Sequence, residues 1–435
     1  GSIEMSQDAY QFKTDLQVVP LHSGPLTHEL EAGIDLERAE GRYRRPDDTF
    51  QFYSAQTDPD VECAPDDIGC IDGEQYFGGR IIFPSGSADS SIDYLRIYLE
   101  DLISFNRFEI RPGLRFSYND FQKNANLGPR LLTRFDLFDD DRTVFFAGLN
   151  RYYGKVFLSY ALREGINPNI FQNRDLQASN QPGSWNSFLL GSAYRYSQLK
   201  TPYTDEISAG VMQKLFGGSG ELHYLHRKMK DGYARQKGDR EEEGIRYYSL
   251  NNNGSSRHEE FGLSWEKETG RQSVHLNVTY QETTSSNIDY DEKFDLEDLN
   301  TLTWFKGEVI SKEELPREDY NRPWIANLFY SVLLPRGFEF TNLAAWRSGY
   351  KGLDRVFPLP TEAPDHVTEA YEVVDRPSSW IFDWKLSWHR KVADIGRLTL
   401  NLEVLNVFNE KTAVGSKENE FEMGRQFWAG AEYLF

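Results

Sequence analysis

Apolar and polar residues alternate with a period of two along most of the chain, the pattern of a strand with two unlike faces. Between Leu398 and Val404, the residues Leu398, Leu400, Leu402 and Val404 share one face and Thr399, Asn401 and Glu403 the other. Val274 to Tyr280 repeats this, with His275, Asn277 and Thr279 set between apolar neighbours. The closing stretch, Arg425 to Phe435, puts Phe427, Ala429, Ala431, Tyr433 and Phe435 on one face and Trp428, Gly430 and Glu432 on the other. Similar stretches run from Tyr10 to Val19, Leu30 to Glu37, Ser91 to Ile103, Phe108 to Tyr118, Leu131 to Phe138 and Thr143 to Asn150. They continue at Ile207 to Leu215, Glu221 to Lys228, Phe261 to Lys267, Trp324 to Leu334, Phe338 to Trp346 and Trp380 to Trp388. The pattern predicts about fifteen strands, and a short helix over Lys155 to Glu164, where the spacing changes.

Connections sort these strands into pairs. SGP, SFNR, FDDD, FGGSG, ETGR, PRG and ADIGR are tight, whereas the stretches near 44–90, 152–203, 229–256, 282–320, 349–379 and 410–424 are long and polar. Soluble sandwiches mix loop lengths at both ends. Transmembrane barrels have short periplasmic turns and long extracellular loops. A polar residue at every second position would be costly in a dry two-sided core and suits a hydrated lumen. The expectation is an all-β fold, a transmembrane antiparallel β-barrel occupying 1–435. For the last strand taken alone, an edge strand of a soluble sheet is the alternative.

Composition narrows the class without naming a function. Mean hydropathy is −0.63 and aromatics make up 14% of the 435 residues. No run approaches the roughly 18 apolar residues of a spanning helix, whereas a barrel needs only alternate lipid-facing residues. The net charge of −20 argues against nucleic acid, because nothing here would release phosphate counterions. The opening GSIEM lacks the charged start and apolar core of a signal peptide. An exported protein would have lost that segment, or the chain is part of a larger one.

Candidate chemistry is sparse. Cys63 and Cys70, the only cysteines, stand in CAPDDIGC and predict a disulfide closed in an oxidising compartment. Asp58, Asp60, Glu62, Asp66, Asp67 and Asp72 crowd the same loop and could offer calcium its hard oxygens. They lack EF-hand spacing, and a solvated acidic loop is the alternative; Asp289 to Asp298 form a second such cluster. Tyr152, Tyr153, Trp185, Tyr194 and Tyr196 populate the largest loop segment, either as a ligand vestibule or as packing for the loop. Trp324, Trp380, Trp384 and Trp388 are placed as interfacial girdle residues. His223, His226, His258 and His275 lie near Ser264 and Ser273, but no G-x-S-x-G or H-E-x-x-H motif occurs. The reading is not an enzyme, without a required cofactor.

Five stretches stand out in order along the chain: YLEDLISFNRFEIRPGLRFSYND at Tyr98 to Asp120, LGPRLLTRFDLF at Leu127 to Phe138 and TPYTDEISAGVMQKLFGGSGELHYLHR at Thr201 to Arg227, then NRPWIANLFYSVLLPRGFEFTNLAAWRSG at Asn321 to Gly349 and FDWKLSWHRKVADIGRLTLNLEVLNVFNEK at Phe382 to Lys411. In their order and spacing they resemble the C-terminal part of a TonB-dependent outer-membrane receptor. GLNRYYG is similar to the large-loop, Oar-type receptors. The resemblance implies a barrel of about twenty-two strands around an N-terminal plug, of which this chain would supply roughly the last fifteen. Phe435, with Tyr433 and Phe427, resembles the C-terminal signal for outer-membrane insertion. The implied activity is energised uptake of a ligand captured by the extracellular loops. The implied partners are a TonB-type periplasmic coupling protein, outer-membrane lipid and lipopolysaccharide, and an N-terminal fragment carrying the plug. An odd strand count with Phe435 in the periplasm puts residue 1 in an extracellular loop, so the expectation is a receptor split at that loop. Two alternatives stand beside uptake: a docking or secretion partner for a protein, such as a surface protease, and a plugless diffusion channel.

Overall fold

The computed structural model describes all residues but 1, 156–157, 189–191, 196–198, 241–245, 286–301, 312–314, 316–321, 365–366, 368, 393–395 and 414–420, and of 188, 192–195, 234–240, 246–249, 285 and 311 the backbone only. Fifteen long strands form one antiparallel meander. They are β1 (Glu4–Gln17), β2 (Leu26–Arg45), β3 (Gly86–Phe105), β4 (Phe108–Asn119), β5 (Ala125–Asp136), β6 (Thr143–Tyr153), β7 (Tyr203–Leu215) and β8 (Gly218–Arg240). Then follow β9 (Arg246–Glu268), β10 (Gln272–Ser285), β11 (Trp324–Leu333), β12 (Phe338–Arg347), β13 (Ser379–Val392), β14 (Gly396–Leu405) and β15 (Gln426–Leu434). Each pairs with its neighbours in sequence. Among the described residues β1 and β15 do not pair with each other, so both edges of the sheet are open.

Register shows why the two-residue period matters. Leu398 stands opposite Tyr433, Leu400 opposite Ala431, Leu402 opposite Ala429 and Val404 opposite Phe427. Directly opposed residues share a face. The same face carries Ile34 and Ile97, Leu99 and Leu114, Phe116 and Leu127, and Leu149 and Ile207. It continues through Leu222, Leu263 and Val278. Protein leaves about half of Leu99, Leu149, Leu222 and Leu402 uncovered. An apolar band this continuous is far larger than the patches soluble monomers expose and fits hydrocarbon. The opposite, lumenal face carries Asp35, Glu37, Arg96, Arg115, Arg130, Glu206, His223, Glu260 and Glu403. Trp324, Trp380 and Trp384 lie on the apolar face, with Trp324 tilted against Tyr280 at 4.9 Å and Trp380 tilted against Trp346 at 6.0 Å.

One end of the sheet is made of tight turns. Phe216 and Gly217, joining β7 to β8, both have positive φ (54° and 74°), as a two-residue type I′ hairpin requires. The other end is mostly long, but two of its connections depart from the expected alternation. Only residues 120–124 separate β4 from β5, and 229–256, expected as a loop, is largely extended strand. There β8 and β9 stay paired to Arg240 and Arg246 through register shifts around Gly232. The polar run NNNGSSR has weak strand propensity, but cross-strand pairing decides strand formation more than propensity does.

Four long loops fold onto one another. Thr49–Thr57, Gln75–Phe83 and Cys70–Ile71 from the β2–β3 connection pair with Ile170–Asn173 and Asn186–Phe188 from the β6–β7 connection. Leu302–Phe305 and Glu308–Ser311 likewise join Tyr350–Arg355 and Glu369–Arg376. A helix, α1 (Leu158–Glu164), forms within the stretch Lys155 to Glu164 where a helix was expected. Its Leu158 and Leu162 pack on Ala39, Tyr43, Ala88, Ile92 and Tyr94 of β2 and β3. Gly41 permits that approach, since a Cβ there would lie 2.7 Å from Leu158 Cδ2.

Candidate ligand vestibule

Beneath α1, the lumenal face of β2 to β6 lines a cavity of about 420 Å³. Its wall holds Glu37, Tyr94, Arg96, Arg115, Arg130 and Lys155, with Asn119, Asn126, Tyr152 and Tyr153. Strand alternation explains the set: Arg96, Arg115 and Arg130 project from three adjacent strands at lumenal positions, with Arg115 opposite Gly128 and Arg130 opposite Gly113. At Gly128 the backbones approach closely, since a Cβ there would lie 2.8 Å from the Arg151 carbonyl oxygen.

The cations differ in their partners. Arg96 Nη1 donates to Asp35 Oδ2 and Glu37 Oε2, each at 2.9 Å, and Lys155 Nζ reaches Glu37 Oε1 at 2.6 Å. Among the described residues, Arg115 and Arg130 have no carboxylate in ion-pair reach. Arg130 lies over the Tyr152 ring at 5.0 Å, and its buried Nε has no hydrogen-bond partner among the described residues. Two uncompensated guanidinium groups in a recessed wall suit a planar or multivalent anion, which can take paired donors from arginine. Tyr152 donates to Glu206 Oε1 at 3.2 Å, and Glu206 also accepts from Asn150 and Arg227. That network fixes the tyrosine at the cavity edge.

The expected aromatic vestibule is therefore divided. Tyr152 and Tyr153 both border the cavity, Tyr152 from the lumenal face and Tyr153, by strand alternation, from a position on the opposite face beside Tyr203. Trp185 instead packs the loop sheet, with the guanidinium groups of Arg80 and Arg174 stacked at 4.3 and 4.1 Å from its ring. Tyr194 lies in a short strand, Ser192–Arg195, that runs parallel to 246–249, but its side chain and all of Tyr196 lie outside the described residues. Arg115 and Arg130 carry no local motif; only the strand register brings them together.

Cys63 and Cys70 form the expected disulfide, with Cα atoms 5.7 Å apart. The acidic residues around them hold the loop's shape. Asp58 Oδ1 accepts from the amide of Asp60, Asp72 Oδ1 from Cys63, and Asp67 Oδ1 from Gly69. Asp67 Oδ2 also pairs with Arg174 at 2.5 Å. Among the described residues no three His, Cys, Asp or Glu side chains converge as a cation site would require. The second cluster, Asp289 to Asp298, lies outside the described residues. At the loop base, the Ser85 amide bonded to Asp48 at 2.7 Å holds that carboxyl below the usual carboxylate range.

Histidines of the barrel wall serve polar networks. His223 lies 3.1 Å from both Glu221 and Glu260, and His258 Nε2 is 3.4 Å from Glu260. Ser273 Oγ is 2.9 Å from His275 Nε2, on the same strand. Phe427 and Tyr433 lie on the lipid face of β15, and the Tyr433 ring meets that of Phe435 edge-on at 4.9 Å.

Comparison with known proteins gives the fold its context. No family model matches the sequence. The uncharacterized protein YddB of Escherichia coli K12 is 24% identical over 453 residues, spanning all of this chain and 53% of that protein. The crystal structure of the E. coli outer membrane transporter YddB superposes with a TM-score of 0.75 at 23% identity, covering 99% of this chain and 55% of that one. The fold is that of the C-terminal barrel of TonB-dependent outer-membrane receptors. The siderophore receptor PirA of Acinetobacter baumannii shares this barrel with a TM-score of 0.60 at 13% identity, over 99% of this chain and 55% of its own. The ferric enterobactin receptor of Pseudomonas aeruginosa, solved with enterobactin, gives 0.56 at 15%, over 99% and 54%. The chain spans about half the length of the relatives it matches.

Proposed function

We propose that this chain is the C-terminal barrel portion of an outer-membrane receptor that takes up an anionic ligand captured at the long-loop end. The observation that carries the proposal is the cavity under α1, where Arg115 and Arg130 face the lumen without carboxylate partners among the described residues. Open edges at β1 and β15 are not tolerated in hydrocarbon, so further strands close the wall. The plug and its contact with a TonB-type coupling protein belong to the rest of the receptor. The work of this chain is binding, with no catalytic step, and its C-terminal Phe435 serves insertion.

A second reading, docking of a protein at the long loops, is favoured by Ile68, which is 72% exposed at the disulfide-closed tip. A single experiment separates the readings. A strain lacking the full-length receptor is complemented with the wild type or with Arg115→Ala/Arg130→Ala, and accumulation of a panel of labelled ferric chelates is measured with and without an uncoupler. The proposal predicts saturable, uncoupler-sensitive uptake of one anionic chelate, lost in the double variant. Uptake indifferent to the uncoupler supports a diffusion channel. No uptake of any chelate, with protein capture abolished by Ile68→Asp, supports docking.

A further inference from the structure

At the short-turn end of the sheet, the end away from α1, the lumenal side of β11 to β14 opens into a second cavity of about 550 Å³. Register puts its polar groups on one face: Leu333 opposes Glu339, Glu339 opposes Ser387, His389 opposes Thr399 and Lys391 opposes Arg397. Lys385 and Glu403, farther along the same two strands, share that face and pair at 2.6 Å. The carboxylate in the cavity wall is engaged as well. Glu339 Oε1 accepts from Ser331 at 2.7 Å, and Glu339 Oε2 lies 3.4 Å from His389 Nε2. Lys391 and Arg397 are both exposed, and among the described residues neither has a carboxylate in ion-pair reach. Leu333 and Leu334 border the same cavity and are 49% and 43% exposed.

We propose that this mouth holds an acidic segment of the polypeptide that completes the receptor, with a carboxylate between Lys391 and Arg397 and a neighbouring apolar side chain on Leu333 and Leu334. Like charges directly opposite on paired strands repel, and a carboxylate set between them removes that cost. The leucine pair beside them gains cover from a peptide and none from a free inorganic anion. The rest of the receptor has reason to be present here. Both β1 and β15 are open edges, and this chain covers 53% of the matched relative. One of those edges, β15, borders the mouth, with Leu434 opposite Arg397. A segment held there fastens the filling of the lumen to the wall at the end opposite the ligand vestibule. The inference rests on the barrel reading of the sheet and not on uptake.

The test uses the full-length receptor in native outer membranes, a zero-length carbodiimide that joins lysine amines to carboxylates in contact, and peptide mass spectrometry. Lys385 joined to Glu403 shows that the reagent reaches the lumen. The proposal predicts Lys391 joined to an Asp or Glu of the receptor outside these 435 residues. A half-exposed charge pair contributes up to about fivefold, so Arg397→Gln lowers the yield of that cross-link about two- to fivefold, and Arg397→Lys retains it. Salt at about 1 M, where screening acts beyond about 3 Å, lowers the yield likewise. Lys391 joined only within this chain, joined to a separate periplasmic protein, or unjoined while Lys385 reacts overturns the proposal, as does a yield indifferent to both Arg397→Gln and salt. The wild-type cross-link needs no substitution, so a variant that fails to fold leaves that part of the test decisive.

Discussion

Replacing Arg174 should uncouple the two loops that cover the vestibule while sparing the barrel. The Arg174 guanidinium is almost fully buried: Nε donates to the Phe77 carbonyl at 3.0 Å, Nη2 to Gly69 at 3.0 Å and Nη1 to Asp67 at 2.5 Å. It also stacks on Trp185. Every acceptor lies in the β2–β3 loop, whereas Arg174 and Trp185 belong to the β6–β7 loop. Arg174→Met keeps much of the volume but leaves Asp67 and two carbonyls without their donor. Removing one member of a buried ion pair costs about 3–5 kcal/mol, which at about 1.4 kcal/mol per decade is a hundredfold to a few thousandfold in local opening. Hydrogen exchange of the full-length receptor should show that acceleration in Thr49–Thr57, Gln75–Phe83 and Ile170–Asn173, with β12 to β14 unchanged. Unaltered exchange in the loop sheet, or equal acceleration in the barrel, would refute the assignment of Arg174 as the tie between the loops.

Cys63→Ser/Cys70→Ser opens a loop of sequence separation 7 and should cost about 2.5 kcal/mol of local stability by chain entropy, read as faster exchange confined to residues 58–75. Leu400→Arg on the lipid face should destabilise the barrel by about 2–4 kcal/mol if it sits near the midplane, and Asn401→Arg on the lumenal face by much less; equal effects in chemical denaturation would contradict the face assignment. At the base of the β2–β3 loop, the Ser85 amide donates to Asp48 Oδ1 at 2.7 Å, and that bond does most to hold the Asp48 pKa below the ordinary value. A lowered folded pKa means that this contribution is full above the unfolded value near 3.9 and lost as pH falls through the folded one. An NMR titration of the Asp48 carboxyl should have its midpoint below the ordinary aspartate range; a midpoint at or above it would remove the bond's proposed role.

Much of the barrel wall could be read from the chain because strand alternation is local. Leu398 to Val404 and Val274 to Tyr280 declare their faces by themselves, and the register of β13 to β15 only confirms the partition. The disulfide was legible for the same reason, with both cysteines in one short loop. Where pairing partners are distant, local composition misleads. NNNGSSR reads as loop, yet it extends β9 because β8 is there to pair with it. Trp185 reads as a vestibule aromatic, but its place depends on Arg80, about a hundred residues earlier in the chain. Arg115 falls inside the strand read at Phe108 to Tyr118, whereas Arg130 precedes the strand read at Leu131 to Phe138. Their meeting in one cavity is a product of the register between β4 and β5, which neither segment encodes alone.

The central claim is that one face of this sheet meets lipid and the other water. Spin labels placed singly from Leu398 to Val404 in the reconstituted full-length receptor test it most directly, through collision with oxygen, which partitions into lipid, and with a water-soluble nickel chelate. The account predicts a two-residue oscillation, with oxygen favoured at 398, 400, 402 and 404 and nickel at 399, 401 and 403. Nickel access at all seven positions, or an oscillation of opposite phase, would contradict it.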